Sequence, residues 1–172
     1  SLPLSLIGVV LALILTGEGK VFSAGADLEG MKAGLGTSSA WGRAADALTA
    51  FPGPTIAALN GTLAGGAMGV ALACDIRIAV PTANFFYPVM RLGYLPQPLD
   101  PGRLTALIGP SRARMILLAG QRIGAEEALS WGLIDRITAP ETLIDSAKAL
   151  VADALNADQS HVAALTRLTR GT

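Results

Sequence analysis

The chain has 172 residues, of which 51% are hydrophobic and 15% charged, so its composition predicts one compact domain and excludes intrinsic disorder. Thirteen lysines and arginines balance thirteen acidic residues, which leaves no basic field to attract nucleic acid or anionic lipid. The single cysteine, Cys74, excludes an internal disulfide and favours a cytoplasmic protein over a secreted, disulfide-stabilised one.

Three apolar segments predict strands of a buried sheet. The first apolar run, residues 4–15, is too short to span a bilayer. Within it, residues 9–15 are continuously aliphatic, which is typical of a strand covered on both faces. Thr55–Leu59 lies between proline and glycine turn signals, and residues 75–80 alternate apolar and polar side chains.

Helices are predicted between and after these strands. Residues 66–74 are apolar all round, which indicates a fully buried helix. Ser111 is a candidate N-cap for a helix over 112–118, and Ala125–Trp131 predicts another. Residues 141–155 predict an amphipathic helix that docks on the core. Strands that alternate with helices favour an α/β domain with a largely parallel sheet.

Two glycine-bearing segments lie at predicted strand-to-helix transitions. In residues 22–28, Gly25 gives the backbone conformational freedom, and the Ala26 N–H is left free to point into a cleft. In residues 60–67, the Gly66 N–H lies at the start of the apolar helix. Each segment alone could be an ordinary glycine turn. Together they supply two backbone donors at adjacent strand ends, which is what an oxyanion hole requires.

The same glycines do not match nucleotide-binding signatures. Residues 65–69 lack the spacing of the dinucleotide-binding fingerprint. Residues 17–20 lack both the upstream glycine and the following Ser or Thr of a phosphate-binding P-loop. The single histidine, His161, has no second histidine or cysteine cluster beside it in the sequence, so no metal site is predicted.

Four segments carry an extended resemblance to the crotonase superfamily, the enoyl-CoA hydratase/isomerase family. Residues 15–28, LTGEGKVFSAGADL, resemble the family's first oxyanion segment, and residues 54–61, PTIAALNG, resemble the strand before the second. Residues 73–79 continue that match, and residues 120–134 are similar to the family's late helix and turn. The resemblance covers nearly the whole chain. It implies a crotonase-like spiral of β-β-α units with C-terminal helices, and subunits that form trimers or hexamers.

The resemblance also implies a substrate, an acyl-CoA thioester of fatty acid metabolism. Its carbonyl would rest on the N–H groups of Ala26 and Gly66, which would stabilise a thioester enolate during a lyase or isomerase reaction. Backbone at Ser23 and Ala24, together with Ala26, would meet CoA. Coenzyme A enters as part of the substrate, and no other cofactor is expected.

The departures from the family pattern bear directly on the reaction. Hydratases of the family use two glutamates to position and activate water, and the matching positions here are Gly69 and Val89. Some isomerases place a carboxylate in the next loop, where this chain has Gln97. Since none of these side chains can transfer a proton as a carboxylate does, ordinary hydration of an enoyl-CoA is not expected.

Asp100 is the nearest ionisable replacement for these carboxylates. Its position before Pro101 also fits a helix N-cap with proline at the first helical position, which would make it structural. Tyr87 and Tyr94 flank the expected acyl cleft and could donate a proton or simply pack. Arg91 could bind an anionic acyl tail, or lie at the surface or a subunit contact.

Three readings of function follow from these residues. The first is an acyl-CoA-binding enzyme of the hydratase/isomerase type, and the second is a noncatalytic acyl-CoA-binding protein that has lost its proton-transfer groups. The third is a structural trimer whose cleft is filled by side chains such as Phe86 or Met90. In all three, residues 1–172 are expected to form a single crotonase-like domain that lacks part of the family's N-terminal region, with residues 1–8 as a remnant of its first strand.

Overall fold

The computed structural model describes residues 12–24, 34 and 38–171. In this part of the chain, eight strands form two four-stranded sheets. The first sheet is parallel throughout and has the order β1 (Leu13–Thr16), β3 (Thr55–Leu59), β5 (Ile76–Ala79) and β8 (Arg136–Ile137). The second has the order β2 (Val21–Ser23), β4 (Thr62–Ala64), β6 (Asn84–Phe86) and β7 (Ile123–Gly124), with only β7 antiparallel.

From β1 to β6, consecutive strands alternate between the two sheets, so the chain advances as a spiral. The pairs β1–β2, β3–β4 and β5–β6 each contribute one strand to each sheet, and each pair precedes a helix. These helices are α1 (Ala40–Ala50), α2 (Ala67–Ala73) and α3 (Val89–Leu92). The arrangement confirms the predicted spiral of β-β-α units.

The later part of the chain is mostly helical. Its elements are α4 (Asp100–Leu117), α5 (Ala125–Trp131), a 3-10 turn (Pro140–Thr142), α6 (Leu143–Leu150), α7 (Ala152–Asn156) and α8 (Gln159–Arg170). None of the helices in the described ranges is long and apolar enough to cross a membrane.

Two helix predictions are wrong in their boundaries. The helix predicted over 112–118 is the second part of α4, which begins at Asp100 and breaks where Gly109 adopts φ 80°. Pro110 restarts the helix, so Ser111 is not its cap. The segment 141–155 forms two helices because Val151, with φ −108° and ψ 4°, interrupts the helical backbone.

The core lies where the first sheet packs against the helices. All five residues of β3 are buried, as its continuous apolar sequence predicts. Helix α2 is buried at every position except Val70, and its small side chains allow α1 and α4 to pack closely against it. β5 is one residue shorter at each end than predicted, and residues 9–11 of the first predicted strand lie outside the described residues.

Arg170 anchors the last helix to the core. Its Nε donates to Asp75 Oδ1 at 2.8 Å and its Nη2 to Asp75 Oδ2 at 2.7 Å. The same guanidinium donates to the carbonyl oxygens of Phe51 at 2.6 Å and Gly53 at 3.1 Å. Burial raises the pKa of Asp75, but the hydrogen bonds from Arg170 and Thr55 outweigh it and hold that pKa below its usual value.

Arg170→Ala is expected to lower the free energy of unfolding by about 2–3 kcal/mol. It leaves the half-buried Asp75 carboxylate without its cationic partner, and it removes the donor from the carbonyl oxygens of Thr49, Phe51 and Gly53. Urea unfolding measures this, with Arg167→Ala on the same helix turn as the control. The contribution exists above the unfolded-state pKa of Asp75 and disappears as pH falls through its lower folded-state pKa. A difference between the variant and the parent that did not shrink as pH falls below the unfolded-state pKa of Asp75 would contradict this account.

Candidate active site

The turn between β1 and β2 is held by Asn60, which follows β3. Asn60 Oδ1 accepts from the Gly17 N–H at 3.0 Å, and Asn60 Nδ2 donates to the carbonyl oxygens of Gly19 at 3.0 Å and Val21 at 3.2 Å. A Cβ at Gly61 would overlap the Lys20 backbone, so the two segments are in direct contact. β3 therefore fixes the path of the chain into the first glycine-bearing segment.

That first segment is described only in part. Ser23 is half-buried and ends β2, and Ala24 follows it at the surface. Ala26 lies outside the described residues, so its place in an oxyanion hole stays a prediction.

Gly66 is held from two sides at the start of α2. A Cβ at this position would lie 2.8 Å from three ring atoms of Trp41, so only glycine fits under the indole. The preceding residue, Gly65, has φ 62° and donates its N–H to the Phe86 carbonyl oxygen at 3.4 Å. The position of the Gly66 N–H is therefore fixed by α1 on one side and β6 on the other.

A cavity of about 340 Å³ lies beside this glycine, between β1, β2, α1 and α2. Its walls include Leu15, Phe22, Ser23, Trp41, Ala67 and Val70. Ser23 and Trp41 thus line one space together with Ala67, the residue that follows Gly66.

A buried carboxylate lies against α2. Asp100 is only 2% exposed, and a Cβ built at Gly69 would lie 2.7 Å from Asp100 Cγ and closer still to both carboxylate oxygens. The Asp100 side chain would have to move to relieve this overlap, so its observed buried position requires glycine at position 69. The chain therefore has a carboxylate beside position 69, although residue 69 itself has none.

Tyr87 is the hydrogen-bond partner of this carboxylate. Tyr87 Oη donates to Asp100 Oδ2 at 2.9 Å, and Tyr87 Oη in turn accepts from the Gln97 N–H at 3.4 Å. Burial and the adjacent Asp100 charge raise the pKa of Tyr87 well above its usual value, so the phenol remains a donor. Burial also raises the pKa of Asp100, while the Tyr87 hydrogen bond and the Arg103 charge oppose that rise.

The structure excludes the capping role of Asp100. The N-cap of α4 is Leu99, Asp100 is the first helical residue, and its carboxylate bonds Tyr87 instead of the helix backbone. Val89, at the second glutamate position, is a buried apolar side chain. Tyr87 therefore forms a hydrogen bond in addition to packing in the core. Asp100 is the candidate proton-transfer group, and it lies against α2.

Other side chains singled out by the sequence lie elsewhere. Arg91 lines a small separate pocket with Phe86 and Arg122, whose guanidinium lies 4.0 Å from the Phe86 ring centroid. Met90 is 62% exposed, and neither Phe86 nor Met90 lines the cavity next to α2. Because Ala26 lies outside the described residues, the reading of a cleft closed by these side chains stays a prediction.

The remaining candidates are also accounted for. Tyr94 is half-buried, and burial raises its pKa. His161 is exposed on α8. Burial raises the pKa of the Cys74 thiol to about 12, so it is a thiol at neutral pH and no nucleophile.

The two-sheet spiral is the crotonase fold, shared with solved structures of that fold. The family model for enoyl-CoA hydratase/isomerase matches residues 8–171, and the chain belongs to this family.

Three relatives show how far the likeness extends. The chain is 39% identical over 146 residues to the probable enoyl-CoA hydratase echA8 of Mycobacterium leprae, covering 81% of this chain and 55% of that protein. It is 35% identical over 164 residues to carnitinyl-CoA dehydratase of Citrobacter koseri, covering 92% and 63%. The solved structure of Pseudomonas aeruginosa DspI has a TM-score of 0.83 and 34% identity, covering 93% and 63%. The chain therefore spans less than two thirds of the length of each of these relatives.

Proposed function

We propose that this protein isomerises unsaturated acyl-CoA thioesters, with Asp100 as the group that moves the proton. The observation that supports the proposal is the one buried carboxylate among the described residues, which packs against Gly69, together with the apolar Val89 at the position of the second carboxylate. By the family resemblance, hydration uses two carboxylates to hold and activate water. One carboxylate suits a reaction in which the same group takes a proton and returns it.

The proposed reaction moves a double bond by one position. The thioester oxygen accepts hydrogen bonds from the N–H groups of Gly66 and Ala26, which stabilise negative charge on it. Asp100 removes a proton from Cα of a β,γ-unsaturated thioester, and the electrons spread into a dienolate. The protonated Asp100 then delivers that proton to Cγ, which yields the α,β-unsaturated thioester with no net gain or loss of atoms.

The atom of Asp100 assigned to this transfer is Oδ1. Tyr87 occupies Oδ2, whereas Oδ1 has no hydrogen-bond donor among the residues that the structure describes. In the same proposal, backbone at Ser23 and Ala24 contacts the CoA part of the substrate, and three copies of the complete protein associate, which light scattering would test.

The test of the thioester site compares Gly66→Pro with Gly66→Ala. Both variants add a Cβ against Trp41, but only proline removes the N–H, and the native φ of −59° at Gly66 suits proline. Turnover of a panel of β,γ- and α,β-unsaturated acyl-CoA thioesters is followed by chromatography and mass spectrometry. We expect isomerisation by the parent, and a rate for Gly66→Pro about 10²-fold below that of Gly66→Ala.

Two outcomes would contradict this proposal in different ways. Equal rates for the two variants would show that the Gly66 N–H does not hold the thioester oxygen. Tight binding of thioesters by the parent without any turnover would favour the noncatalytic acyl-CoA-binding protein, a reading that the loss of both glutamates, at Gly69 and Val89, supports.

A further inference from the structure

We propose that Tyr87 is a positioning residue that aims the Asp100 carboxylate and sets the pH range in which it works as a base. This inference rests on the proposed function of Asp100. It assigns a role to a tyrosine hydroxyl that the thioester chemistry itself does not require, because Tyr87 acts through Asp100 and not on the substrate.

The direction of the hydrogen bonds determines where the phenolic proton lies. The Gln97 N–H donates to Tyr87 Oη at 3.4 Å, so that oxygen acts as an acceptor on one side. The phenolic hydrogen is then available for Asp100 Oδ2 at 2.9 Å. Because a carboxylate accepts this hydrogen bond more strongly than a protonated carboxyl does, the contact favours the ionised base.

The carboxylate is also restrained from other sides. Gly69 packs directly against it, so the carboxyl group cannot rotate toward α2. The side chain of Gln97 donates from Nε2 to the Ser38 carbonyl oxygen at 3.2 Å, which connects the loop before α4 to the start of α1. Tyr87 is itself 2% exposed, so its ring cannot move without repacking. With one carboxylate oxygen held by Tyr87, the other keeps a fixed direction.

Within the described part of the chain, few charged groups surround Asp100. From its own helix, Arg103 lowers the pKa of the carboxyl, and Arg103 Nη2 lies 3.6 Å from Asp46 Oδ1 on α1. Helix α2 contributes no ionisable side chain. Tyr94, in the loop before α4, is the other phenol near Tyr87. Burial raises the pKa of Asp100, and the Tyr87 hydroxyl and Arg103 oppose that effect.

Removal of the Tyr87 hydroxyl therefore changes the pKa of Asp100 in a defined direction. In Tyr87→Phe, one of the two opposing groups is lost and the pKa of Asp100 rises. Because the base must be ionised to act, the acid limb of the pH profile for kcat/KM moves to higher pH. We expect the acid limb to move by about one pH unit. At the low-pH end of the limb this lowers kcat/KM about tenfold, and on the alkaline plateau it lowers kcat/KM by less.

The chain offers a matched control, because it contains only two tyrosines, Tyr87 and Tyr94. Tyr94→Phe removes a half-buried phenol that has no hydrogen bond to Asp100, and its acid limb is expected to match that of the parent. A purely structural role for Tyr87 would lower the melting temperature and leave the limb in place. An unmoved acid limb in folded Tyr87→Phe would overturn the inference.

A second test keeps the inference falsifiable if Tyr87→Phe does not fold. In the Tyr94→Phe background, biosynthetic 3-fluorotyrosine labels position 87 alone and makes its phenol a stronger donor. The acid limb should then move to lower pH, opposite to the effect of phenylalanine. A limb that did not move with fluorotyrosine would count against the inference in the same way.

The failure of this inference is distinguishable from failure of the proposed function. If Asp100→Asn retained full turnover, the proposed function would fail whatever Tyr87 does. If the parent turned over no thioester, the pKa of the Asp100 carboxyl would be measured by carbon-13 NMR, with Asp100→Asn to assign its signal. A higher carboxyl pKa in Tyr87→Phe than in Tyr94→Phe would support the positioning role, and equal values would overturn it.

Discussion

Asp100→Asn is expected to lower kcat for isomerisation by about 10²–10⁴-fold, the usual effect of removing a positioned acid–base group. Asparagine has nearly the shape of aspartate and its side-chain oxygen can still accept from Tyr87 Oη, so the packing against Gly69 is kept. It cannot take a proton from carbon at neutral pH. Stopped reactions analysed by chromatography measure the rate, and thioester affinity is expected to stay within a few-fold of the parent.

The control for this variant is Asp145→Asn, which neutralises an exposed carboxylate on α6 whose ion-pair partner is Lys148. It should leave kcat within about twofold, since surface charges contribute little. The melting temperature of Asp100→Asn should equal or exceed that of the parent, because a buried charge is removed while its hydrogen bond persists. A rate for Asp100→Asn within tenfold of the parent would place the proton-transfer group elsewhere.

Gly69→Glu alone is expected to destabilise the fold by about 2–4 kcal/mol and to abolish turnover. The new Cβ would overlap the Asp100 carboxylate, and a second carboxylate would be forced beside the first in a buried site. The residue that looks like a restoration of the family's glutamate is thus predicted to be harmful. Urea unfolding and thioester turnover give the two readouts.

The double variant Gly69→Glu with Asp100→Gly should recover much of that stability. Removing the Asp100 side chain opens the space that a side chain at residue 69 needs. The four proteins form a double-mutant cycle, in which we expect a coupling of at least about 2 kcal/mol in favour of the double variant. Additive effects of the two changes would show that residues 69 and 100 do not compete for one space.

Local sequence patterns predicted the elements whose boundaries are marked by neighbouring residues. Thr55–Leu59 and Ala125–Trp131 form as predicted, because a continuous apolar run and a short glycine-bounded helix each carry their boundaries in adjacent residues. The breaks at Gly109 and Val151 were not predicted. Helical spacing continues across Val151, where only the backbone angles interrupt the helix. At Gly109 and Pro110 the residues themselves break the helix, but they do not show that a helix precedes them.

The sequence predicted Gly66 and Asp100 as candidate site residues, but it did not predict that Asp100 packs against Gly69. Gly66 follows from a motif, whereas the contact between Gly69 and Asp100 joins residues of two different helices and has no local signal. One clue was present in the sequence. Glycine inside a helix costs about 1 kcal/mol relative to alanine, so a glycine in the middle of an otherwise apolar helix can mark the close approach of another group. Asp100 is the group that approaches.

The spiral topology affects how the loss of a catalytic residue can be inferred when related sequences are compared. Each coil of strand, strand and helix stacks on the next, so a residue of one coil touches the same small volume as a residue of a later coil. During evolution, a carboxylate can therefore be lost from one coil and gained in a later coil while it still occupies the same volume of the fold. A sequence alignment, which compares only matching positions, would then classify an active protein as one that has lost its catalytic residue. A better criterion is which ionisable side chains pack around each buried glycine in the structure.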